Sequence, residues 1–177
     1  TIERLAPVLR NLRHSDAGLP RFHGSCGDVD GQLDQALSNA ESRKTSLSET
    51  SVGFAKLSRS QTTVIIDAAP PPMGKKAMKA DASTLAFEMV SGQRRVFTSC
   101  GPGYLFGSDL SLVGRQTSSH CVVYIEDQNS SEFSSVEGWF QTPKKVIING
   151  PRTVPKEISN HEGTGVFEGA HDGYVQS

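Results

Sequence analysis

Short runs of alternating or β-branched residues, separated by turn residues, dominate the chain after residue 50 and most constrain its fold. The runs STLAFEMV and RRVFTSC flank Ser91-Gly92, a pair typical of a hairpin turn. About nine strands at this spacing, with no helices between them, predict an antiparallel β-sandwich. The other runs are SVGFAKLSR, TTVIIDAAPPP, HCVVYIED, GWFQT, KKVIIN, RTVPKEI and GTGVFEGAH.

The first forty residues have a different pattern. IERLAPVLRNLRH has apolar residues at helical spacing, with Pro7 as a kink or the first turn of a second segment, and DGQLDQALSNAESRK predicts a short helix. We therefore expect two parts: a helical and loop segment over 1–42, the tail of a preceding helical domain, and a sandwich over 43–177. The last strand pattern stops at Ser177, so the sheet is expected to be incomplete, with an open edge that favours a homodimer.

Charge, hydropathy and cysteine usage exclude several classes of protein. A net charge of −1 and a pI near 6.5 argue against a nucleic-acid partner. No apolar run approaches the ~20 residues of a membrane span, so no membrane partner is expected. Three scattered cysteines, Cys26, Cys100 and Cys121, form neither a disulfide framework nor a zinc knuckle. The common nucleotide, hydrolase and metalloprotease motifs are absent, and we expect no cofactor.

Scattered polar residues carry the remaining functional signal. His120 opens the run HCVVYIED after a polar loop that contains Arg115. It could belong to an active site, be a metal ligand, or be a structural histidine that links two loops. Arg115 could pair with a carboxylate in a bidentate manner, or be a solvated loop residue. In HDGY, His171 and Tyr174 are candidate binding residues, although Asp-Gly is also a plain turn signal.

The order of several segments resembles a known family. The stretches ADASTLAFEMVSGQRRVFTSCGPGYLFG and GRQTSSHCVVYIED resemble the sandwich domain of the heparinase II/III-like polysaccharide lyases. LRHSDAGLPRFHG resembles the family's exit from its helical toroid, and AHDGY a later strand, so the resemblance runs roughly from Leu9 to Tyr174. It implies a lyase-type supersandwich, β-elimination of an acidic, uronate-containing polysaccharide, a cleft shared with a preceding helical domain, and a periplasmic location.

The site positions implied by the resemblance carry unexpected residues. The family's catalytic histidine falls on Asp81, and its zinc-ligand positions fall on Ser83, Ser99 and His120. One imidazole with two hydroxyls is not a Zn²⁺ site, so no metal is expected. The resemblance thus gives Asp81 and His120 as the catalytic positions, and Arg115, His171 and Tyr174 as substrate-binding residues. The family's catalytic tyrosine belongs to the toroid, and the isolated chain is expected to be inactive.

Three functions remain open from the sequence. The chain is the sandwich domain of a lyase that cleaves uronate polysaccharides, or a non-catalytic carbohydrate-binding or structural module that has lost the lyase site. The third is a generic sandwich whose resemblance to the family is accidental.

Overall fold

The computed structural model describes residues 2–27, 31–38, 50–75, 77–136, 144–161 and 164–175. Two helices come first, α1 (Ile2–Asn11) and α2 (Gln32–Ser38), as the helical spacing predicts. They pack on each other through Ala6, Leu9, Leu33 and Leu37. Neither described helix has the length and apolar character to cross a bilayer.

The described strands are all antiparallel. In chain order they are β1 (Thr50–Ser51), β2 (Phe54–Arg59), β3 (Thr62–Asp67), β4 (Phe87–Ser91), β5 (Arg94–Phe97), β6 (Glu132–Val136), β7 (Lys144–Asn149), β8 (Lys156–His161) and β9 (Thr164–Gly169). Strands β1 to β5 form one sheet in sequence order, and β6–β7 and β8–β9 each form a two-stranded sheet. The predicted mostly-β antiparallel sandwich is confirmed. The expected homodimer stays a prediction.

Strand β3 separates the two packed sides of the main sheet because alternate side chains point to opposite faces. On one face, Ile66 joins a buried cluster against which Ile158 and Phe167 of the β8–β9 hairpin pack. On the other face, Ile65 packs with Phe22 from the loop that follows α1. The N-terminal loop therefore forms part of the core and lies directly over the face of the sheet that carries the predicted site residues.

The strand predicted for HCVVYIED is wrong. Its first turn closes locally, because the N–H of Val122 donates to the carbonyl of His120 at 3.0 Å. A single antiparallel bridge joins Ile125 to Gln128, and the side chain of Val123 is 79% exposed. The run makes one backbone hydrogen bond to a described strand, from the N–H of Phe87 to the carbonyl of Cys121 at 3.0 Å, but it forms no ladder there. His120 thus follows a 3-10 turn, Thr117–Ser119, and does not open a strand.

Other boundaries also differ from the sequence pattern. Strand β4 begins at Phe87, because Leu85 takes a left-handed conformation at φ 64° and the N–H of Ala86 closes a turn onto Ser83. Asp81 therefore lies in a loop before the strand. Strand β8 begins at Lys156, later than the run RTVPKEI. Strand β6 was not predicted because EFSSV is largely polar, and the predicted strand GWFQT falls in 137–143, outside the described residues.

Candidate functional site

The N-terminal loop brings His23 onto two carboxylates of the sandwich. His23 and Gly24 both have positive φ, 51° and 79°, and this left-handed turn directs the imidazole toward the sheet. Nε2 of His23 lies 3.2 Å from a carboxylate oxygen of Asp67, and the backbone N–H of Asp81 donates to Nδ1 at 3.1 Å. The N–H of Gly24 donates to the Asp81 carboxylate at 3.2 Å. We call His23, Asp67, Ser83, Asp81, Arg115 and His120 the interior polar cluster.

Asp81 is enclosed by this cluster. It is 4% exposed, and its second carboxylate oxygen lies 3.8 Å from Nε of Arg115. Burial raises the pKa of Asp81 to about 6, although the charges of His23 and Arg115 and the hydrogen bond from Gly24 act in the opposite direction. Burial dominates because a carboxylate loses most of its hydration in this loop.

Asp67 links the histidine to Ser83. The Ser83 hydroxyl donates to Asp67 at 2.6 Å, and both residues are buried. Burial lowers the pKa of His23, but the hydrogen bond to Asp67 and the charges of Asp67 and Asp81 outweigh it, so the pKa lies above 6.5. Protonation at Nδ1 would nevertheless cost the hydrogen bond from Asp81. The geometry fits a neutral ring that donates from Nε2 and accepts at Nδ1.

The guanidinium of Arg115 is hydrogen-bonded inside the protein. Nε and Nη2 donate to the carbonyl of Ala80 at 2.8 and 2.6 Å, and Nη1 donates to the carbonyl of Lys145 at 2.8 Å. The guanidinium also lies 5.0 Å from the ring centre of Phe133. Arg115 therefore joins the Asp81 loop to strand β7, and its fork of donors points at backbone carbonyls.

His120 is the member of the cluster whose ring has no hydrogen-bond partner among the described residues. It is 8% exposed, and neither ring nitrogen reaches a donor or acceptor among the described residues. Its ring centre lies 6.3 Å from that of Phe22. Burial lowers the pKa of His120 to about 4, against the charges of Asp67 and Glu88, which raise it. A neutral imidazole is thus the resting form at neutral pH.

The positions that the resemblance gives as zinc ligands do not form a metal centre. Ser83 is bonded to Asp67, and the buried hydroxyl of Ser99 finds no partner in the described part of the chain. Within that part, no group of three His, Cys, Asp or Glu side chains is placed to hold a metal ion.

A second buried carboxylate, Glu88, was missed by the sequence reasoning. It is 0% exposed, and one oxygen accepts from the backbone N–H groups of Arg21 and Ser99 at 3.0 and 3.1 Å. Its other oxygen lies 3.5 Å from Arg95 and 3.6 Å from His14. The available signal was a glutamate in the middle of the apolar run LAFEMV, since a charged residue at an inward strand position needs partners.

His171 and Tyr174 lie apart from the interior polar cluster, at a surface groove of about 970 Å³. We call it the Tyr174 groove; it is lined by Leu112, Gln116 and parts of segments 128–133, 149–152 and 172–175. Tyr174 lines the groove, and the ring of His171 packs on it at 5.6 Å between centres. The structure therefore brings Asp81, Arg115 and His120 together and places the other two predicted residues elsewhere.

The antiparallel sandwich, with a loop of buried polar residues beneath its N-terminal segment, is the kind of domain that the sequence resemblance implies. The chain belongs to the family "Heparinase II/III-like, C-terminal", whose model matches residues 43–177. A solved structure of heparinase III, the BT4657 gene product with methylated lysines, matches 92% of the chain with a TM-score of 0.53 and 14% identity. That likeness concerns the fold.

FtsZ-localized protein C of Caulobacter vibrioides is 33% identical over 101 residues, which is 56% of this chain. The matches span 18% of that protein and 28% of the heparinase III chain, so this chain corresponds to a small part of each relative.

Proposed function

We propose that the chain is a non-catalytic sandwich module of a longer heparinase II/III-like protein. The observation that carries this proposal is the enclosure of Asp81, at the position where the resemblance places the catalytic histidine. β-Elimination needs a base within hydrogen-bond reach of the substrate proton. The carboxylate of Asp81 instead faces the N–H of Gly24 and the guanidinium of Arg115.

The electrostatics of the cluster support the same function. Elimination next to a uronate requires a positive or hydrogen-bonding group that neutralises the substrate carboxylate. Arg115 is the cation nearest to Asp81, and three of its nitrogens donate to backbone carbonyls. The cluster instead fastens the loop around His23 to the sheet.

The direct test uses the full-length protein that contains this chain. It is incubated with heparin, heparan sulfate and alginate, and the ultraviolet absorbance of the unsaturated uronate product is followed. We expect no product above that of a heat-inactivated sample. Product that disappears in Asp81→Asn, but persists in the exposed control Asp109→Asn, would overturn the proposal.

A second function, uronate β-elimination by the parent protein, is favoured by one observation. The pKa of Asp81, raised by burial to about 6, suits a general base near neutral pH. This function needs the loop around His23 to open, so that Asp81 reaches substrate. The acidic polysaccharide, the preceding helical domain with its catalytic tyrosine and the periplasmic location all belong to this alternative. Elimination activity that increases in His23→Ala, which loosens the loop, would support it.

A further inference from the structure

We propose that the Tyr174 groove binds a neutral glycan. Its volume, about 970 Å³, is in the range of pockets that hold ligands of several sugar units. Three separate segments of the sandwich form its walls, so a ligand there would contact β6, β7 and the C-terminal turn together. The proposal goes beyond the non-catalytic role and does not depend on it.

The aromatic wall of the groove is held in place before any ligand arrives. The hydroxyl of Tyr174 donates to the carbonyl of Val123 at 3.2 Å. Behind the ring lies His171, whose Nδ1 accepts the N–H of Gly173 at 3.0 Å. A ring fixed in this way offers its face to the C–H groups of a sugar at little cost in conformational entropy.

The floor of the groove has an unused hydroxyl. Ser131 lines the groove, is 4% exposed, and its Oγ has no hydrogen-bond partner in the described residues. The space beside it is kept by Gly150, where an added Cβ would lie 2.6 Å from that oxygen. A buried hydroxyl without a protein partner is commonly matched by a water molecule or a ligand. Because this oxygen is itself covered by protein, a sugar hydroxyl reaches it only after the Ser131 side chain turns toward the groove.

The charge of the lining selects the class of glycan. Among the described lining residues, the only cation is Arg152, and two carboxylates, Glu132 and Asp172, line the same groove. The remaining polar lining consists of amides and hydroxyls, including Gln116 and Asn129. A net negative surface repels uronate or sulfated chains. The groove therefore fits a neutral, hydroxyl- or acetamido-bearing oligosaccharide, in contrast to the acidic polysaccharide that the family resemblance implies.

Calorimetric titration of the 177-residue chain with chitohexaose and cellohexaose, beside a heparin hexasaccharide, tests the proposal. We expect binding of at least one neutral hexamer and weaker or no binding of the heparin fragment. Tyr174→Ala should weaken binding about tenfold or more, while Tyr174→Phe stays within about threefold, because the ring provides the stacking surface. Ser131→Ala should weaken it about threefold.

Tyr104→Ala is the matched control, since Tyr104 is exposed outside the groove. Circular dichroism of each variant establishes that the fold is retained. Three results would overturn the proposal: no heat of binding with either neutral hexamer at millimolar concentration, tighter binding of the heparin fragment, or equal effects of Tyr174→Ala and Tyr104→Ala. None of these three results affects the outcome of the elimination assay. Failure of the glycan site is therefore distinguishable from failure of the non-catalytic role.

Discussion

Protonation of His120 should destabilise the folded state in acid, and His120→Gln should remove this one contribution to the pH dependence of stability. Burial lowers the pKa of His120 from 6.5 to about 4. The unfolded chain therefore binds the proton first, and the stability contributed by the neutral ring is complete above pH 6.5 and is lost as the pH falls toward 4. Each pKa unit corresponds to ~1.4 kcal/mol, so the full loss approaches roughly 3 kcal/mol.

Asp81 titrates in the same pH range, but its protonation changes the stability of the folded state in the opposite direction. Its pKa rises from 3.8 to about 6, so the folded state binds this proton first and gains stability as the pH falls through that range. In the wild type the two contributions largely cancel. The free energy of unfolding should consequently change little between pH 6 and pH 4.5, unless one of the two groups is removed.

Urea unfolding followed by circular dichroism measures the effect. Between pH 7 and pH 4.5, the free energy of unfolding of His120→Gln should rise by about 2 kcal/mol relative to that of the wild type, because glutamine at position 120 has no proton to bind. In NMR spectra, the imidazole resonance that is missing from the variant should not titrate above pH 5. Parallel curves of free energy against pH for the two proteins would refute the reasoning, because they would mean that His120 has an ordinary pKa in the folded state.

Three further substitutions test the packing of the site. Asp81→Asn should raise the free energy of unfolding at pH 7 by about 1–3 kcal/mol, because it removes a desolvated charge. The gain should vanish near pH 4, where the wild-type carboxyl is protonated. A lower urea midpoint at pH 7 would contradict this. Arg115→Lys should cost about 2–4 kcal/mol through the lost fork of hydrogen bonds, while exposed Arg152→Lys stays within ~0.5 kcal/mol; equal melting temperatures would be inconsistent with the buried fork. Gly114→Ala should cost ~3 kcal/mol or more, since the new Cβ would lie 2.3 Å from the backbone nitrogen of Gly103, and a wild-type melting temperature would disprove that close approach.

The local residue pattern predicted the secondary structure correctly where the backbone hydrogen bonds lie within one helix or between strands adjacent in sequence. The hairpins β2–β3 and β4–β5 join adjacent segments, and their β-branched or alternating residues match a pleat with one covered face. The helical spacing predicted α1 correctly, and the helix continues through Pro7. The same approach failed at HCVVYIED, since an apolar run forms a strand only where a neighbouring strand is available to take its backbone groups.

The surroundings of the predicted site residues were not readable from the sequence, and the functional roles of these residues stay predictions. Asp81, Arg115 and His120 do meet. Beside them lies His23, whose part in the site the sequence did not indicate. Its partner Asp67 lies 44 positions away in strand β3, and no local pattern connects the two. The loop around His23 also covers Asp81, because His23 and Gly24 are both hydrogen-bonded to that residue.

The sequence by itself determined the family, the mostly-β antiparallel character and the identity of the residues at the lyase positions, because these depend on residue type and order along the chain. The tertiary structure decided that Asp81 and Arg115 are turned inward and that His120 lacks a hydrogen-bond partner among the described residues. It also placed Tyr174 at a separate groove. The physical reason is that hydration, charge and hydrogen-bond satisfaction are set by segments distant in sequence, and they exist only once the N-terminal loop lies across the sheet.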